Sequence, residues 1–405
     1  MSDTFKSQNL SLGQPEWLDY PESKKLFSAI SLAGGSGRFV GGCVRDAFFD
    51  KVSDDLDICT DLEPHQTMKV LEEAGFRVIP TGIDHGTVTA LMNDRKFEVT
   101  TLRHDVETHG RHATVAYTTS FEEDAARRDF TFNALSVDEN GKLFDYFDGL
   151  SDLREGRVRF IGNASERIEE DRLRVLRFFR FYARYGEGDV DEDAFLACAK
   201  AKDKLGSLSI ERVTREIKLL FSTLAPMDAV RVMDLTGVQN AILPGASSLE
   251  KLKAISEVTS DPIVRLVAYF ERDLGWAKNL SNHLRLPLSE HNRVIGGCTP
   301  VVFGQTDDKE LKSLIYTFGP AIIEDQCVLA ILEDGNHSLL NSRVELVRTW
   351  EVPELPVKGR DILLAGVRAG PLVGKILKEL EKSWIESEFK LSKEALLSQL
   401  PTHID

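Results

Sequence analysis

Two aspartates at alternating positions are the residues of this chain best suited to hold a metal ion. They lie in the string Asp54-Asp55-Leu56-Asp57-Ile58. Residues i and i+2 of a strand share a face, so the carboxylates of Asp55 and Asp57 are expected to be neighbours. Carboxylates this close repel each other, and Mg²⁺ would resolve the conflict because it prefers oxygen ligands and bridges to phosphates. An acidic turn is the alternative interpretation.

A glycine pair precedes the aspartates in the string VGGCVRD, which runs from Val40 to Asp46, follows a short apolar segment and opens a predicted helix. Backbone N–H groups at Gly41 and Gly42 could approach a phosphate closely, and Arg45 would add a charged donor. The spacing is that of neither a P-loop nor a dinucleotide fingerprint, and a plain tight turn is the alternative. Its place just before the aspartates favours the metal and phosphate interpretation.

Polar side chains further along could complete such a site. Glu98, in the string EVTTLRHD, is a candidate third carboxylate if its strand lies beside Asp57; an exposed strand glutamate is equally compatible. Adjacent arginines in Arg127–Leu135 (RRDFTFNAL) could grip a triphosphate. There, Arg128 would contact the phosphates, Asp129 would orient an arginine and Asn133 would reach a sugar hydroxyl. A surface salt bridge beside a strand is the alternative.

The segment Glu170–Phe181 (EDRLRVLRFFRF) has helical periodicity and places Asp171 and Arg174 about 60° apart above an apolar stripe. Cytosine and adenine each present an amine donor beside a ring-nitrogen acceptor. A carboxylate can accept from the amine while a guanidinium donates to the ring nitrogen. Guanine and uracil present the reverse pattern and would leave both protein groups unpaired, which is costly. The alternative is a half-buried ion pair. Arg177 and Arg180 form a neighbouring stripe.

The elements that must position these residues are a sheet and then helices. Residues from about 38 to 147 alternate short strand signals with one clear helix, from Pro64 to Ala74, whereas helical periodicity dominates after Gly149. This order predicts an α+β fold, with one mixed domain followed by an all-helical remainder. The predicted strands are Arg38–Val40, Leu56–Thr60, Phe76–Ile79, Thr87–Met92, Phe97–Thr101 and Leu135–Val137.

Composition indicates a cytoplasmic protein with locally concentrated positive charge. The five cysteines form no C-x-x-C pair, the polar start contains no secretory h-region, and no apolar run is long enough to cross a bilayer. The formal net charge is −15, yet residues 154–184 contain nine arginines, five acids and no lysine. Arginine without lysine favours contacts with phosphates and base edges. No membrane and no obligate protein partner is indicated.

Taken together and in this order, the motifs resemble the class II tRNA nucleotidyltransferase and bacterial poly(A) polymerase family. The matching strings are GGCVRD with DLD, EVTTLR, RRDFTFNAL, EDRLRVLRFFRF and SIERVTREI, between about residues 40 and 220; the tail string GRDILLAGVRAGPLVGKIL also matches. The resemblance implies a polymerase β-like nucleotidyltransferase head and a helical neck, body and tail. Within the predicted boundaries, 1–25 is an extension, 26–153 the head, 154–221 the neck, 222–350 the body and 351–405 the tail.

The resemblance also implies an activity and roles for residues. Asp55 and Asp57 would hold Mg²⁺; Gly42, Arg45 and Arg128 would contact the nucleotide; and Asp171, Arg174, Arg177 and Arg180 would bind it in the neck. The implied partners are CTP, ATP and the 3′ end of tRNA, to which CCA would be added, with the tail binding tRNA. The segment His104–Tyr117 resembles the family's flexible loop. That segment counts against CC-only addition.

Two alternative functions remain. A poly(A) polymerase or a partial, A-adding enzyme would share the same scaffold, although the chain lacks a basic Gly-Arg-Arg element before the EVTT strand. A noncatalytic RNA-binding protein would be expected to have lost one carboxylate of the D-x-D pair, and both are present.

Overall fold

The structure, a computed structural model, describes residues 15–51, 53, 55–109, 112–302 and 304–400. The chain divides into two compact units, Met1–Pro244 and Gly245–Asp405. In the described ranges every strand belongs to the first unit. The strands are β1 (Gly37–Val40), β2 (Leu56–Thr60), β3 (Arg77–Gly82), β4 (Thr87–Met92), β5 (Arg95–Thr101), β6 (Arg103–His109), β7 (His112–Tyr117), β8 (Ser136–Val137) and β9 (Leu143–Phe144).

Seven of the described strands form one mixed sheet in the order β3-β4-β5-β2-β1-β8-β9, and β6 pairs with β7 alone. The neighbours β2 and β5 run parallel, with Asp57 opposite Glu98 in register. On its other side β2 pairs antiparallel with β1, and Val40 lies opposite Asp57. The central strands therefore bring the end of β1, the aspartate pair and Glu98 to one place.

The predicted α+β order is confirmed, and two strands, Leu56–Thr60 and Thr87–Met92, have the bounds predicted for them. The β6–β7 hairpin was not predicted as strands. Its sequence begins RHDVETH, and Asp, Glu and Lys are depleted in strands, so propensity gave little signal there. Within the segment His104–Tyr117, which was expected to be the family's flexible loop, residues 104–109 and 112–117 lie in two antiparallel strands.

The described N-terminal helices pack on the sheet. Trp17 is buried with its ring centroid 4.3 Å from that of Phe39, the Phe27 ring lies 4.9 Å from Phe39, and Leu26 and Ile30 are also buried. The second helix, Pro21–Leu32, is continuous across residue 25, the predicted end of the N-terminal extension. The helices of the first unit are α1 (Glu16–Asp19), α2 (Pro21–Leu32), α3 (Gly42–Ala47), α4 (Pro64–Glu73), α5 (Phe121–Ala126), α6 (Gly149–Arg154), α7 (Ala164–Glu170), α8 (Arg174–Tyr185), α9 (Glu192–Ala201), α10 (Ile210–Phe221), α11 (Met227–Leu235) and α12 (Val238–Ile242).

An aromatic cluster joins α8 to the segment after Arg128. Phe130 has its ring centroid 5.3 Å from that of Phe181, and Phe132 lies 5.5 Å from Phe181 and 5.7 Å from Tyr185. These rings are almost wholly buried, and each buried aromatic side chain contributes a large apolar area. The amphipathic pattern predicted for α8 is confirmed, because its apolar residues are buried and its arginines lie along the other side.

Helices are the regular elements of the second unit among its described residues. Trp384, Ile362 and Leu380 lie in a buried cluster near its C-terminal end. Within the ranges that the structure describes, every helix falls short of the length and apolarity needed to cross a membrane. The helices of this unit are α13 (Leu249–Ser256), α14 (Pro262–Tyr269), α15 (Leu274–His283), α16 (Leu288–Gly297), α17 (Asp308–Phe318), α18 (Pro320–Asp334), α19 (His337–Thr349), α20 (Gly359–Leu364), α21 (Pro371–Glu386) and α22 (Lys393–Leu397).

Candidate active site

Three carboxylates lie near the start of β2. Asp57 is on the strand, Glu98 is its register neighbour on β5, and Asp55 lies just before the first strand residue, Leu56. Neighbouring positions on adjacent strands share a face, so the condition set for Glu98 as a third carboxylate is met. Asp55 is outside the strand and its side chain is 84% exposed. Its proximity to Asp57 therefore does not come from strand alternation alone.

The surroundings of Asp57 favour a bound cation. Burial, together with the negative charges of Glu98 and Asp55, raises the pKa of Asp57 to about 6, against the lowering effect of Arg128 and Lys96. Oxygen-rich, carboxylate-only donors are the set that Mg²⁺ prefers, so the residues fit that ion. Among the described residues, however, no three carboxylate, histidine or cysteine side chains are gathered closely enough to form a complete metal-binding group. Lys96 pairs with Glu98 and Asp55 instead.

The turn between β1 and α3 lies against Asp57. Gly41 has a φ of 71°, in the region that favours glycine. A side-chain carbon built there would lie 3.4 Å from Oδ2 of Asp57 and 3.9 Å from Nη1 of Arg128. The turn thus needs glycine for its conformation, and it brings backbone close to the carboxylate. Contact of Gly41 and Gly42 with a phosphate stays a prediction.

The adjacent arginines are held by a carboxylate that the sequence analysis did not single out. Asp124, on α5, is buried and accepts hydrogen bonds from Nε of Arg127 at 2.8 Å and from Nη2 of Arg128 at 3.0 Å. Burial raises the pKa of Asp124, but the two guanidinium groups more than offset that effect and hold it below its usual value. Arg128 is consequently fixed beside Gly41 and Asp57.

Asp129, Asn133 and Arg45 form a buried network. Oδ1 of Asp129 accepts from Nδ2 of Asn133 at 2.8 Å, and Oδ1 of Asn133 accepts from Nη1 of Arg45 at 2.6 Å. The Nε of Arg45 also donates to the hydroxyl of Tyr185 at 2.8 Å and to Asp46 at 3.1 Å. Arg45, Asp129 and Asn133, the three residues of this network predicted to contact the nucleotide, are buried. Their contact with a nucleotide remains a prediction, whereas the bonds of Arg45 to Tyr185 and of Asp129 to Arg177 join this network to α8.

Asp129→Asn is expected to destabilise the protein markedly. Oδ2 of Asp129 accepts from the guanidinium of Arg177 at 2.6 Å, and this pairing more than offsets burial and lowers the pKa of Asp129. Loss of the charge leaves Arg177 without its carboxylate. We expect a cost of about 2–4 kcal/mol after allowing for Arg177's partial exposure, and a fall of roughly 5–12 °C in Tm.

Calorimetry at several pH values checks this expectation. A lowered folded-state pKa stabilises the fold above the unfolded-state pKa, near 3.8, and that stabilisation is lost as pH falls through the folded-state pKa. The difference in Tm between wild type and Asp129→Asn should therefore become smaller at acidic pH. Asp203→Asn, at an exposed position, is the control. An unchanged Tm for Asp129→Asn at pH 7 would contradict the role assigned to the pair.

The helix expected to contain Asp171 is interrupted at that residue. Helix α7 ends at Glu170, Asp171 is extended with φ −146° and ψ 103°, and α8 begins at Arg174. The Asp171 carboxylate accepts from the backbone N–H of Leu173 at 3.1 Å. Such local bonds compete with helix formation, which periodicity alone cannot register. The predicted 60° separation on one helix is therefore wrong, although the N–H of Arg174 donates to the carbonyl of Asp171 at 3.0 Å.

Asp171 and Arg174 have other partners than each other. Asp171 pairs with Arg212 of α10 through hydrogen bonds of 2.7 and 3.3 Å. Nη1 of Arg174 donates to Glu170 at 2.5 Å and to the carbonyl of Arg167 at 2.7 Å, and Nη2 donates to the carbonyl of Arg127 at 3.1 Å. The half-buried ion pair considered as an alternative is thus absent between these two residues in the structure.

The remaining arginines of α8 also have carboxylate partners. Arg180 donates to Glu216 of α10 at 2.6 Å, and Arg184 donates to Asp46 at 3.0 Å. Glu216 and Arg212 lie in the string SIERVTREI at helical spacing, and Glu216 is buried. A buried charged residue four positions from another on an amphipathic helix is the signal that could have identified them. The local arginine excess is therefore largely balanced by acids from other elements.

Comparison with known proteins places this arrangement in a family of nucleotidyltransferases. A family profile described as "Poly A polymerase head domain" matches residues 37–159. The "CCA tRNA nucleotidyltransferase 1, mitochondrial" of Danio rerio is 35% identical over 374 residues, 90% of this chain and 86% of that protein. The "CCA-adding enzyme" of Streptococcus gordonii is 37% identical over 403 residues, 94% of this chain and 97% of that protein.

A solved structure has the same fold. The Bacillus stearothermophilus CCA-adding enzyme, crystallised in complex with CTP, superposes with a TM-score of 0.76 over 94% of this chain and 96% of that chain, at 23% identity. The mixed sheet with its carboxylates and the helices that follow define a nucleotidyltransferase. The chain belongs to the CCA tRNA nucleotidyltransferase family.

Proposed function

We propose that this enzyme adds cytidine, cytidine and adenosine to the 3′ end of tRNA, using CTP and ATP and releasing pyrophosphate. The names of its relatives over nearly the whole chain support that reaction. A structure with related fold is described as tRNA nucleotidyltransferase with primer tRNA and an ATP analogue. Binding of tRNA by the predicted tail, residues 351–405, is part of the proposal.

One observation carries the proposal. Arg174, proposed to read the base, donates to the carbonyl of Arg127, and the next residue, Arg128, lies beside Gly41 and Asp57. A single continuous set of contacts therefore joins the base-selecting segment to the carboxylates that would serve the phosphates. Transfer of a nucleotide needs mainly such positioning, because little covalent chemistry falls to the protein.

Asp55 and Asp57, with Glu98 as third ligand, would hold Mg²⁺. The bound ion supplies activation of the RNA 3′-hydroxyl and neutralises charge on the triphosphate. Arg128, fixed by Asp124, faces the same place and favours the phosphates electrostatically. Arg45 and Asp129 hold α8 against the head through their bonds to Tyr185 and Arg177.

Asp171 and Arg174 retain the hydrogen-bonding capacity that base selection needs. A carboxylate has about four acceptor sites, and the Asp171 carboxylate accepts three bonds, from Leu173 and Arg212. A guanidinium has five N–H donors, and Arg174 uses three of them. The amine and ring nitrogen of cytosine or adenine can thus be bound without breaking these contacts.

The decisive experiment supplies tRNA transcripts ending before the first C, after CC and after CCA, with single and mixed nucleotides, and sequences the 3′ ends. Ordered addition that stops at CCA is the expected result. A long adenosine run on any RNA would instead establish a poly(A) polymerase. Addition of A only to the CC-ending transcript would establish a partial enzyme, and no addition would favour the noncatalytic alternative.

A cytoplasmic location is proposed on the cysteine chemistry. All five cysteines are buried thiols. Burial raises the pKa of Cys43 and of Cys59 to about 12, so neither is a reactive thiolate at neutral pH. A protein of this kind suits a reducing compartment. Fractionation of cells expressing the tagged full chain tests the location.

A further inference from the structure

Lys96 lies among the carboxylates proposed to hold the metal. It is two residues before Glu98 on β5, so both side chains are on one face of the sheet. Its ammonium group is 2.7 Å from Oε1 of Glu98 and 3.8 Å from Oδ1 of Asp55. One lysine thus contacts two of the three carboxylates, and the third, Asp57, is the register neighbour of Glu98.

Arg128, the other cation near Asp57, differs from Lys96 in its surroundings. Arg128 is held by a buried carboxylate, Asp124, through a rigid guanidinium. Lys96 is at the surface, with 45% of its side chain exposed, and its ion pairs are with Glu98 and Asp55. An ammonium on a four-carbon chain is a mobile point charge. It can leave the carboxylates without breaking a buried contact.

We propose that Lys96 is a tethered cation that occupies Asp55 and Glu98 while the metal is absent and competes with the divalent ion for them. The inference rests on the proposed metal site. It accounts for the position of the Lys96 ammonium group, which pairs with both Glu98 and Asp55. Lys96 thereby raises the divalent-ion concentration at which the site fills.

A surface salt bridge of no consequence is the opposing interpretation, since exposed pairs contribute little to stability. The proposal does not depend on stability. A positive charge a few ångströms from a doubly charged ion opposes binding even at high dielectric. Removing that charge, and the competition with it, is expected to tighten divalent binding roughly three- to tenfold at low salt.

The test is equilibrium binding of Mn²⁺ to the full chain without nucleotide or RNA, followed by electron paramagnetic resonance and repeated as a Mg²⁺ titration of Tm. Lys96→Gln should lower the Kd for Mn²⁺ roughly three- to tenfold, and this difference should shrink in high salt. Lys69→Gln is the matched control, because Lys69 is an exposed lysine 4.0 Å from Glu73 on α4. It should leave the Kd unchanged.

The outcomes separate this inference from the proposed metal site. Suppose that wild type binds Mn²⁺, that Asp57→Ala loses that binding, and that Lys96→Gln has an unchanged or higher Kd. Lys96 then does not compete with the ion, and only this inference fails. If wild type binds no Mn²⁺, or Asp57→Ala binds it as well as wild type, the metal assignment fails and this inference fails with it. A lower Kd for Mn²⁺ in Lys96→Gln, with an unchanged Kd in Lys69→Gln, supports the competition.

Discussion

Asp57→Asn is expected to lower nucleotide incorporation by roughly a thousandfold or more, while making the metal-free protein more heat-stable. The loss of activity follows from removal of a central metal ligand. The gain in stability follows because Asp57 is crowded by Glu98 and Asp55, which together with burial raise its pKa to about 6. An ionised group in that position disfavours the fold, and a neutral amide of the same shape does not.

The sign of the stability change depends on pH. Since the folded-state pKa of Asp57 lies above the ordinary value of 3.8, the ionised carboxylate destabilises the fold above pH 6, and this penalty disappears as pH falls through 6 toward 4. At pH 7.5 without divalent ions we expect Tm to rise by about 2–5 °C. At pH 4.5 the two proteins should differ little.

The measurements are single-nucleotide extension of tRNA and calorimetry in chelator. Asp94→Asn is the control, because Asp94 is an exposed aspartate in the turn between β4 and β5. Millimolar Mg²⁺ should stabilise wild type more than Asp57→Asn. Activity within tenfold of wild type would show that Asp57 is not an essential ligand, and a lower Tm at pH 7.5 would contradict the electrostatic crowding.

Asp171→Asn is expected to weaken the discrimination between CTP and UTP. An ionised carboxylate only accepts hydrogen bonds, so it suits the amine of cytosine or adenine. An amide can turn its NH₂ toward the keto oxygen of uracil. We expect kcat/KM for CTP and ATP to fall roughly 10- to 100-fold, the usual range for a lost bond to a charged group, and incorporation of UTP to become measurable.

The control is Glu169→Gln, which neutralises a nearby exposed carboxylate of α7 that pairs with Arg172 and Lys204. Extension of the same tRNA with each of the four nucleotides gives the ratio of kcat/KM values. A variant that loses activity equally for every nucleotide would identify Asp171 as a structural partner of Arg212 only. An unchanged ratio of CTP to UTP would exclude it from base selection.

Exchanging the charges of Asp171 and Arg174 is a poorer test of the same idea. A carboxylate at position 174 would face Glu170 and the carbonyls of Arg167 and Arg127, all of which are acceptors. An arginine at position 171 would lie against Arg212. The exchanged variant is therefore expected to lose local structure between α7 and α8, and its selectivity would report that damage.

The chemistry-bearing motifs could be predicted from the sequence because they are short and local. Strand alternation and the Gly-Gly turn placed Asp57 and Gly41, and the pairing of Asp57 with Glu98 was foreseen as a condition on two strands. The apolar face of α8 could also be predicted, since burial of Phe178 and Phe181 follows from helical periodicity. Local residue types therefore determined the reaction class and most of the elements that serve it.

Partners contributed by distant segments were decided only by tertiary structure. Arg212 holds Asp171, Arg177 holds Asp129, and Lys96 of β5 pairs with Asp55, whereas Asp124 is a local partner at helical spacing from Arg127 and Arg128. A pattern of spacing cannot identify such partners, because a charged side chain takes whichever opposite charge the fold brings within reach. The break between α7 and α8 belongs here as well, since a side chain of Asp171 that bonds its own backbone overrides helical periodicity.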